Sequence, residues 1–261
     1  GLGDVYKRQA MLDAVGQVDR IVAVSGINYI ANPYILAHKD SIKDMGPEMN
    51  YELLLGLKPD VVLLYGIGDA QTAVTDKLKE LAIPYMYVGE YLEESPLGKA
   101  EWLVALSELT DSRDKGIDVF REIPKRYQAL KDLTASVEQR PTVMFNTPWN
   151  DSWVMPSTQS YMVQLVTDAG ADYIYKENTS NSSAPIGLET AYGLIQKADY
   201  WINVGTASTL DELKNMNPKF ADAKSVRDKT VYNNNLRITA TGGNDCLLYT
   251  SDAADELDGV D

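Results

Sequence analysis

Polar, aromatic segments recur along this chain wherever an apolar run ends. The early ones are Asn28-Tyr29-Ile30-Ala31-Asn32-Pro33-Tyr34, Tyr65-Gly66-Ile67-Gly68-Asp69 and Gly89-Glu90-Tyr91. The late ones are Asn146-Thr147-Pro148-Trp149-Asn150-Asp151-Ser152-Trp153, Asn178 to Pro185, and Asn233 to Asp245. Each follows a run that reads as a strand, and open α/β sheets take ligands at the carboxyl ends of their strands. Flat aromatic faces beside amide and carboxylate groups suit a concave, partly apolar small-molecule pocket.

Other chemistry finds little support. Gly66-Ile67-Gly68 lacks the third glycine and the Lys-Ser/Thr ending of a phosphate loop, so a plain strand-to-helix turn accounts for it. Glu90, Glu93 and Glu94 are either an acid/base group or solvated and capping carboxylates; no histidine stands near them in sequence. His38 is the only histidine and sits in the polar stretch Ala37-His38-Lys39-Asp40. One imidazole cannot build a multi-histidine metal site, and no G-x-S-x-G elbow offers it a serine. Trp149 and Trp153 either cap a core or meet a ligand. Asn233-Asn234-Asn235 has turn chemistry, and Arg237 beyond it is the notable cation of these loops.

The 261 residues hold 24 basic and 38 acidic side chains, a net charge of −14. That balance argues against nucleic acid, whose binding is built on phosphate neutralisation. The single cysteine is Cys246, so neither a disulfide framework nor a cysteine zinc site is available. No apolar run reaches the roughly 18 residues that span a bilayer. Residues 1–9, GLGDVYKRQ, and 246–261, from CLLYTSDAADE onward, resemble translated sequencing-adapter ends. Read so, the natural fragment is 10–245, open at both ends, and both flanks are expected to pack poorly.

The elements that must position these loops alternate. Strands are expected at Arg20 to Val24, Val61 to Tyr65 and Tyr85 to Val88, and helices at Tyr51 to Leu57 and Ala70 to Leu81. Val61 to Tyr65 is apolar on both faces, as a buried parallel strand is. Together they predict a β-α-β-α-β parallel sheet covered on both faces. From Leu97 to Val137 the pattern is helical. One helix of that length would run roughly 60 Å, so the stretch is a strut between lobes or two ordinary helices, bent at Gly116 and Pro124. Alternation then resumes. Strands are expected at Thr142 to Phe145, Trp153 to Met155, Tyr173 to Tyr175, Tyr200 to Val204 and Thr230 to Asn233. Helices are expected at Tyr161 to Ala169, Leu188 to Ala198 and Leu210 to Met216. The expected architecture is two Rossmann-like α/β lobes, 10–96 and 140–245, joined through 97–139.

In order along the chain, several segments carry a resemblance to a known family. They are Leu12-Asp13-Ala14-Val15-Gly16, Asp19-Arg20-Ile21-Val22-Ala23-Val24, Met45-Gly46, and Leu57-Lys58-Pro59-Asp60-Val61-Val62. Further on come Leu81-Ala82-Ile83-Pro84, Glu94-Ser95-Pro96-Leu97-Gly98-Lys99-Ala100-Glu101-Trp102, Arg140-Pro141-Thr142-Val143, Ser152-Trp153, and Asp168-Ala169-Gly170-Ala171-Asp172-Tyr173. The set resembles the substrate-binding proteins of ABC importers for iron-siderophore, haem and cobalamin ligands. That resemblance implies two lobes on a rigid helical connection with the ligand between them, and an exported, often lipid-anchored monomer without enzymatic activity. Its partners would be a permease and ATPase complex and a small-molecule metal chelate, with no resident cofactor. The cleft loops carry over onto Tyr29, Asn32, Tyr34, Tyr65, Gly66, Trp149, Asn150, Trp153 and Arg237, and Asp69 becomes the first-lobe permease-docking residue. With Arg237 the main cleft cation, the expected ligand is bulky, largely neutral and suited to aromatic stacking. The rival readings are a two-lobed α/β enzyme such as a glycosyltransferase, which the chain gives no nucleotide motif, and a metal-ion-binding protein of related architecture.

Overall fold

The computed structural model describes residues 3–27, 30, 32–46, 48–65 and 70–233. The chain divides into two compact units. Among described residues the first runs to Leu92 and resumes over Lys99–Glu122; the second holds Glu93–Gly98 and the chain from Ile123.

The first unit opens with α1 (Gly3–Ala14), β1 (Ala23–Val24), α2 (Pro33–Ala37) and β2 (Lys43–Asp44). It continues with α3 (Tyr51–Leu57), β3 (Val62–Leu64), α4 (Ala70–Glu80) and β4 (Tyr85–Tyr87). Asn50 caps α3, its side chain accepting from the Leu53 N–H, and Lys58 at φ 48 ends it in the left-handed cap position; Pro59 then prevents continuation. β1 pairs parallel with β2 and β3 with β4. These are two separate two-stranded pairs among the described residues, rather than the single sheet expected from sequence. The missed strand β2 is exposed at both residues and has no apolar run to announce it. Met11, Leu12, Val15, Val88, Leu103 and Leu106 form one core cluster. Met45, Leu54, Leu64, Leu78 and Ile83 form another.

Of the flank 1–9, expected to pack poorly, Gln9 is buried. Helix α1 includes Gly3 to Gln9, and Gln9 is only 4% exposed. Met11, Leu12 and Val15 seat the helix, and a helix propagates through preceding residues that are not proline. The fit is nonetheless poor in its polar groups. Both side-chain polar atoms of Gln9, two guanidinium nitrogens of Arg8 and both carboxylate oxygens of Glu90 are buried without a hydrogen bond. Arg8 reaches Glu90 Oε1 only at 3.7 Å, too far for one. An orphaned buried amide costs about 1–3 kcal/mol. Replacing Gln9 with leucine is therefore expected to raise stability by about 1–2 kcal/mol in chemical denaturation; a loss of stability would show that the amide has a partner.

The helical stretch from Leu97 is two helices, α5 (Pro96–Glu108) and α6 (Arg113–Thr134), not one of forty residues. The break comes at Leu109 to Ser112, where Asp111 turns left-handed at φ 53 and the Ser112 N–H returns to the Ser107 carbonyl at 2.9 Å. Gly116 lets the helices close: a Cβ there would stand 2.8 Å from Ser107 Cβ. Pro124 sits inside α6, and the division between units falls just before it, between Glu122 and Ile123.

The second unit contains β5 (Thr142–Phe145), β6 (Ser152–Met155), α7 (Tyr161–Asp168) and β7 (Asp172–Tyr173). After them come β8 (Ala184–Gly187), α8 (Leu188–Ile195), β9 (Tyr200–Ile202), α9 (Leu210–Met216), α10 (Lys224–Asp228) and β10 (Val231–Tyr232). A parallel sheet runs in the order β10-β9-β5-β7. β6 and β8 make a separate antiparallel ribbon, with Trp153 opposite Ile186 and Val154 opposite Pro185. β8 falls where a loop was expected; its Pro185 is tolerated because a two-stranded ribbon is all edge. Phe145, Trp153, Met155, Tyr173, Ile195, Trp201 and Phe220 fill the core.

Two carboxylates tie this unit together. Asp168, at the end of α7, accepts from Tyr127 and Lys131 on α6, at 2.7 and 2.8 Å, and from Gln164 at 2.9 Å. Burial raises its pKa, but these donors outweigh burial and hold it below the ordinary value. Asp199 accepts from the Thr142 backbone N–H at 2.7 Å, the Thr142 hydroxyl at 2.8 Å and Lys224 at 2.9 Å. Led by the Thr142 N–H, these bonds lower its pKa from 3.8 to about 2. A depressed carboxylate contributes stability above its unfolded pKa, and that contribution is lost as pH falls through the folded value. Since over a third of the Asp199 side chain faces solvent, the contribution is about 1 kcal/mol after screening. Denaturation between pH 5 and pH 2 should show Asp199→Asn losing less stability on acidification than the parent; identical slopes would contradict the pairing.

Candidate ligand-binding site

In the first unit, Tyr65 directly follows β3 and Tyr91 lies just beyond β4. Because β3 and β4 pair in parallel, both tyrosines reach the same end, with ring centroids 4.4 Å apart. The Arg8 guanidinium stands 5.5 Å from the Tyr65 ring centre. Glu90, next to Tyr91 in the chain, is 1% exposed, and its backbone carbonyl takes a 2.8 Å bond from Lys99 Nζ. Tyr34 stacks on His38 at 4.0 Å, and His38 Nδ1 bonds the Tyr34 carbonyl at 2.8 Å. The loop after β1 is fixed by Asp44, which accepts from the N–H groups of Gly26, Ile27 and Gly46 at 2.9, 3.2 and 2.9 Å. Burial raises the Asp44 pKa, yet the three N–H bonds prevail and hold it below the ordinary value.

Asn32, expected at the cleft, is 7% exposed. It caps α2, accepting from the Ile35 N–H and donating to Asp13 at 2.8 Å. Pro33 in the first turn completes that helix start.

In the second unit, an asparagine follows each of three neighbouring strands: Asn146 after β5, Asn203 after β9 and Asn233 after β10. Asn146 and Asn203 are left-handed, at φ 65 and φ 59, and Asn203 Nδ2 donates to Asn146 Oδ1 at 2.6 Å. Asn233 Nδ2 donates to the carbonyls of Gly205 and Ala207. Strained backbone conformations of this kind gather at functional sites. The sequence put Asn146 and Asn233 in candidate loops but Asn203 inside a strand; the readable signal was the same residue type one step past successive apolar runs.

Trp149 and Trp153 part company here. Trp149 is 76% exposed, at the head of a tight turn closed by bonds between its own backbone and Ser152 at 2.9 and 3.2 Å. Asn150 beside it is exposed and left-handed at φ 53. Trp153 is 0% exposed, packs against Trp201, Phe220 and Tyr192, and donates its indole N–H to the Phe145 carbonyl at 2.8 Å. The side chain expected at the ligand thus lies in the core: β6 alternates, putting residues 153 and 155 inward and 154 outward. Tyr29, Gly66, Asp69 and Arg237 lie outside the described residues.

The profile of the periplasmic binding protein family matches residues 6–234. The chain belongs to that family. Among solved structures, this periplasmic binding protein is similar to a haem-binding protein of Vibrio cholerae, with TM-score 0.72 at 15% identity over 97% of this chain and 96% of that one. It is also similar to a triscatecholate siderophore-binding protein of Bacillus subtilis complexed with ferri-bacillibactin, with TM-score 0.64 at 15% identity over 88% and 80%. At such identities the likeness is one of fold: two lobes of α/β structure. Two uncharacterized lipoproteins of Methanocaldococcus jannaschii are each 26% identical over 70% of this chain. The chain spans 44% and 48% of their lengths.

Proposed function

We propose that this protein captures a metal chelate outside the cytoplasm and delivers it to an ABC permease and ATPase complex. The carrying observation is Trp149, a large aromatic left exposed on a hydrogen-bonded turn at the end of the sheet where α/β proteins take ligands. Leaving an indole in water gives the fold nothing, whereas a flat ligand would gain its stacking face. Iron-siderophore complexes, haem and corrinoids are the candidate cargo; proteins of similar fold bind haem and a ferric siderophore. Trp149 and Asn150 would act from the second unit, and Arg237 would supply a cation. Tyr34, Tyr65, Tyr29 and Gly66 would act from the first, and Asp69 would dock the permease. The lipoprotein relatives support an extracytoplasmic, lipid-anchored setting.

Equilibrium titration with haem, cyanocobalamin and ferric tris-catecholate separates this reading from an enzyme. Saturable binding of one chelate, with no turnover of nucleotide sugars, is expected. Turnover without chelate binding would replace the proposal with the enzyme reading.

A further inference from the structure

We infer that Asn146 is the positioning residue of the candidate site, holding the loop 146–153 so that Trp149 and Asn150 are presented to ligand in one arrangement. The inference rests on the proposed binding role of that loop. Its support is that both polar atoms of one side chain and both of its backbone are bonded. The Asn146 N–H donates to the Ile202 carbonyl at 3.1 Å, and the Asn146 carbonyl accepts from the Trp201 indole at 2.7 Å. Asn146 Nδ2 donates to the Val154 carbonyl at 2.7 Å, and Oδ1 accepts from Asn203 Nδ2 at 2.6 Å. Four bonds thus reach the neighbouring strand β9, the residue that follows it, and β6.

These bonds close the base of the loop. Asn146 ties its start to Val154, and Trp153 ties its end to Phe145 at 2.8 Å. The tip closes separately, through Trp149 and Ser152. An exposed tryptophan binds well only if its loop is ordered beforehand, because ordering it on binding costs affinity. The position demands asparagine. It needs a side chain that donates and accepts at once, on a backbone at φ 65 that asparagine tolerates better than most residues. Aspartate keeps the acceptor and loses the donor. Glycine keeps the backbone and loses both.

The test is fluorine NMR of the full chain labelled with 5-fluorotryptophan, in the parent, Asn146→Gly and Asn146→Asp, with the Trp149 resonance assigned by Trp149→Phe. The Trp149 resonance is expected to shift or broaden in both variants, while that of Trp102 in the other unit stays put. Affinity for the best-bound of haem, cyanocobalamin and ferric tris-catecholate is expected to fall at least about ten-fold in Asn146→Gly. A lowered melting temperature with the Trp149 resonance unmoved would reduce Asn146 to a structural role and overturn the inference. If glycine prevents folding, the aspartate variant decides by the same resonance. A displaced Trp149 with unchanged affinity would overturn its link to ligand. Absence of binding in the parent would overturn the proposed function, while the resonance still decides whether Asn146 holds the loop.

Discussion

Replacing Trp153 with alanine is expected to destabilise the protein by about 3–5 kcal/mol. The side chain is fully buried among Trp201, Phe220 and Tyr192. Removal leaves a large cavity and an unpaired Phe145 carbonyl, which now accepts the indole N–H. Trp153→Phe should recover most of the packing but not that bond. Urea denaturation followed by far-ultraviolet circular dichroism measures the loss. Folded Trp153→Ala protein should bind its chelate with near-parental affinity, since the indole has no exposed surface. A stable variant with selectively weakened binding would restore Trp153 to the site.

Trp149→Ala should behave in the opposite way. Its side chain is largely in water, so stability should change by less than about 0.5 kcal/mol. Affinity should fall by about 1–3 kcal/mol, roughly 5- to 150-fold, as for an aromatic anchor that becomes buried on binding. The parent's tryptophan fluorescence should be quenched saturably by the chelate, and the variant should lose much of that quench. Unchanged affinity in a folded Trp149→Ala protein would remove the observation on which the proposed function rests.

The contrast shows how far the sequence reached. Two tryptophans four residues apart in one polar stretch look alike by composition. Their register separates them: Trp153-Val154-Met155 alternates inward and outward, whereas Trp149 precedes the strand. Long apolar runs were legible, so β3, β5 and β9 fell where expected, and Tyr51–Leu57 and Leu210–Met216 matched to the residue. Strands held by backbone pairing alone were not. Lys43–Asp44 has no apolar face, and Ala184–Gly187 carries a proline and a glycine. Asn32 followed by Pro33 spells a helix start, yet the aromatic residues around it suggested a ligand loop. The bonds of Asn146 join residues 8 to 57 positions apart, which no local pattern discloses.

Native mass spectrometry of the full-length gene product, incubated with haem, cyanocobalamin and ferric siderophores, tests the central claim most directly. The account predicts a one-to-one, non-covalent complex with one chelate class, recovered unaltered on dissociation. A protein that retains none of them, or that returns its ligand chemically changed, would contradict it.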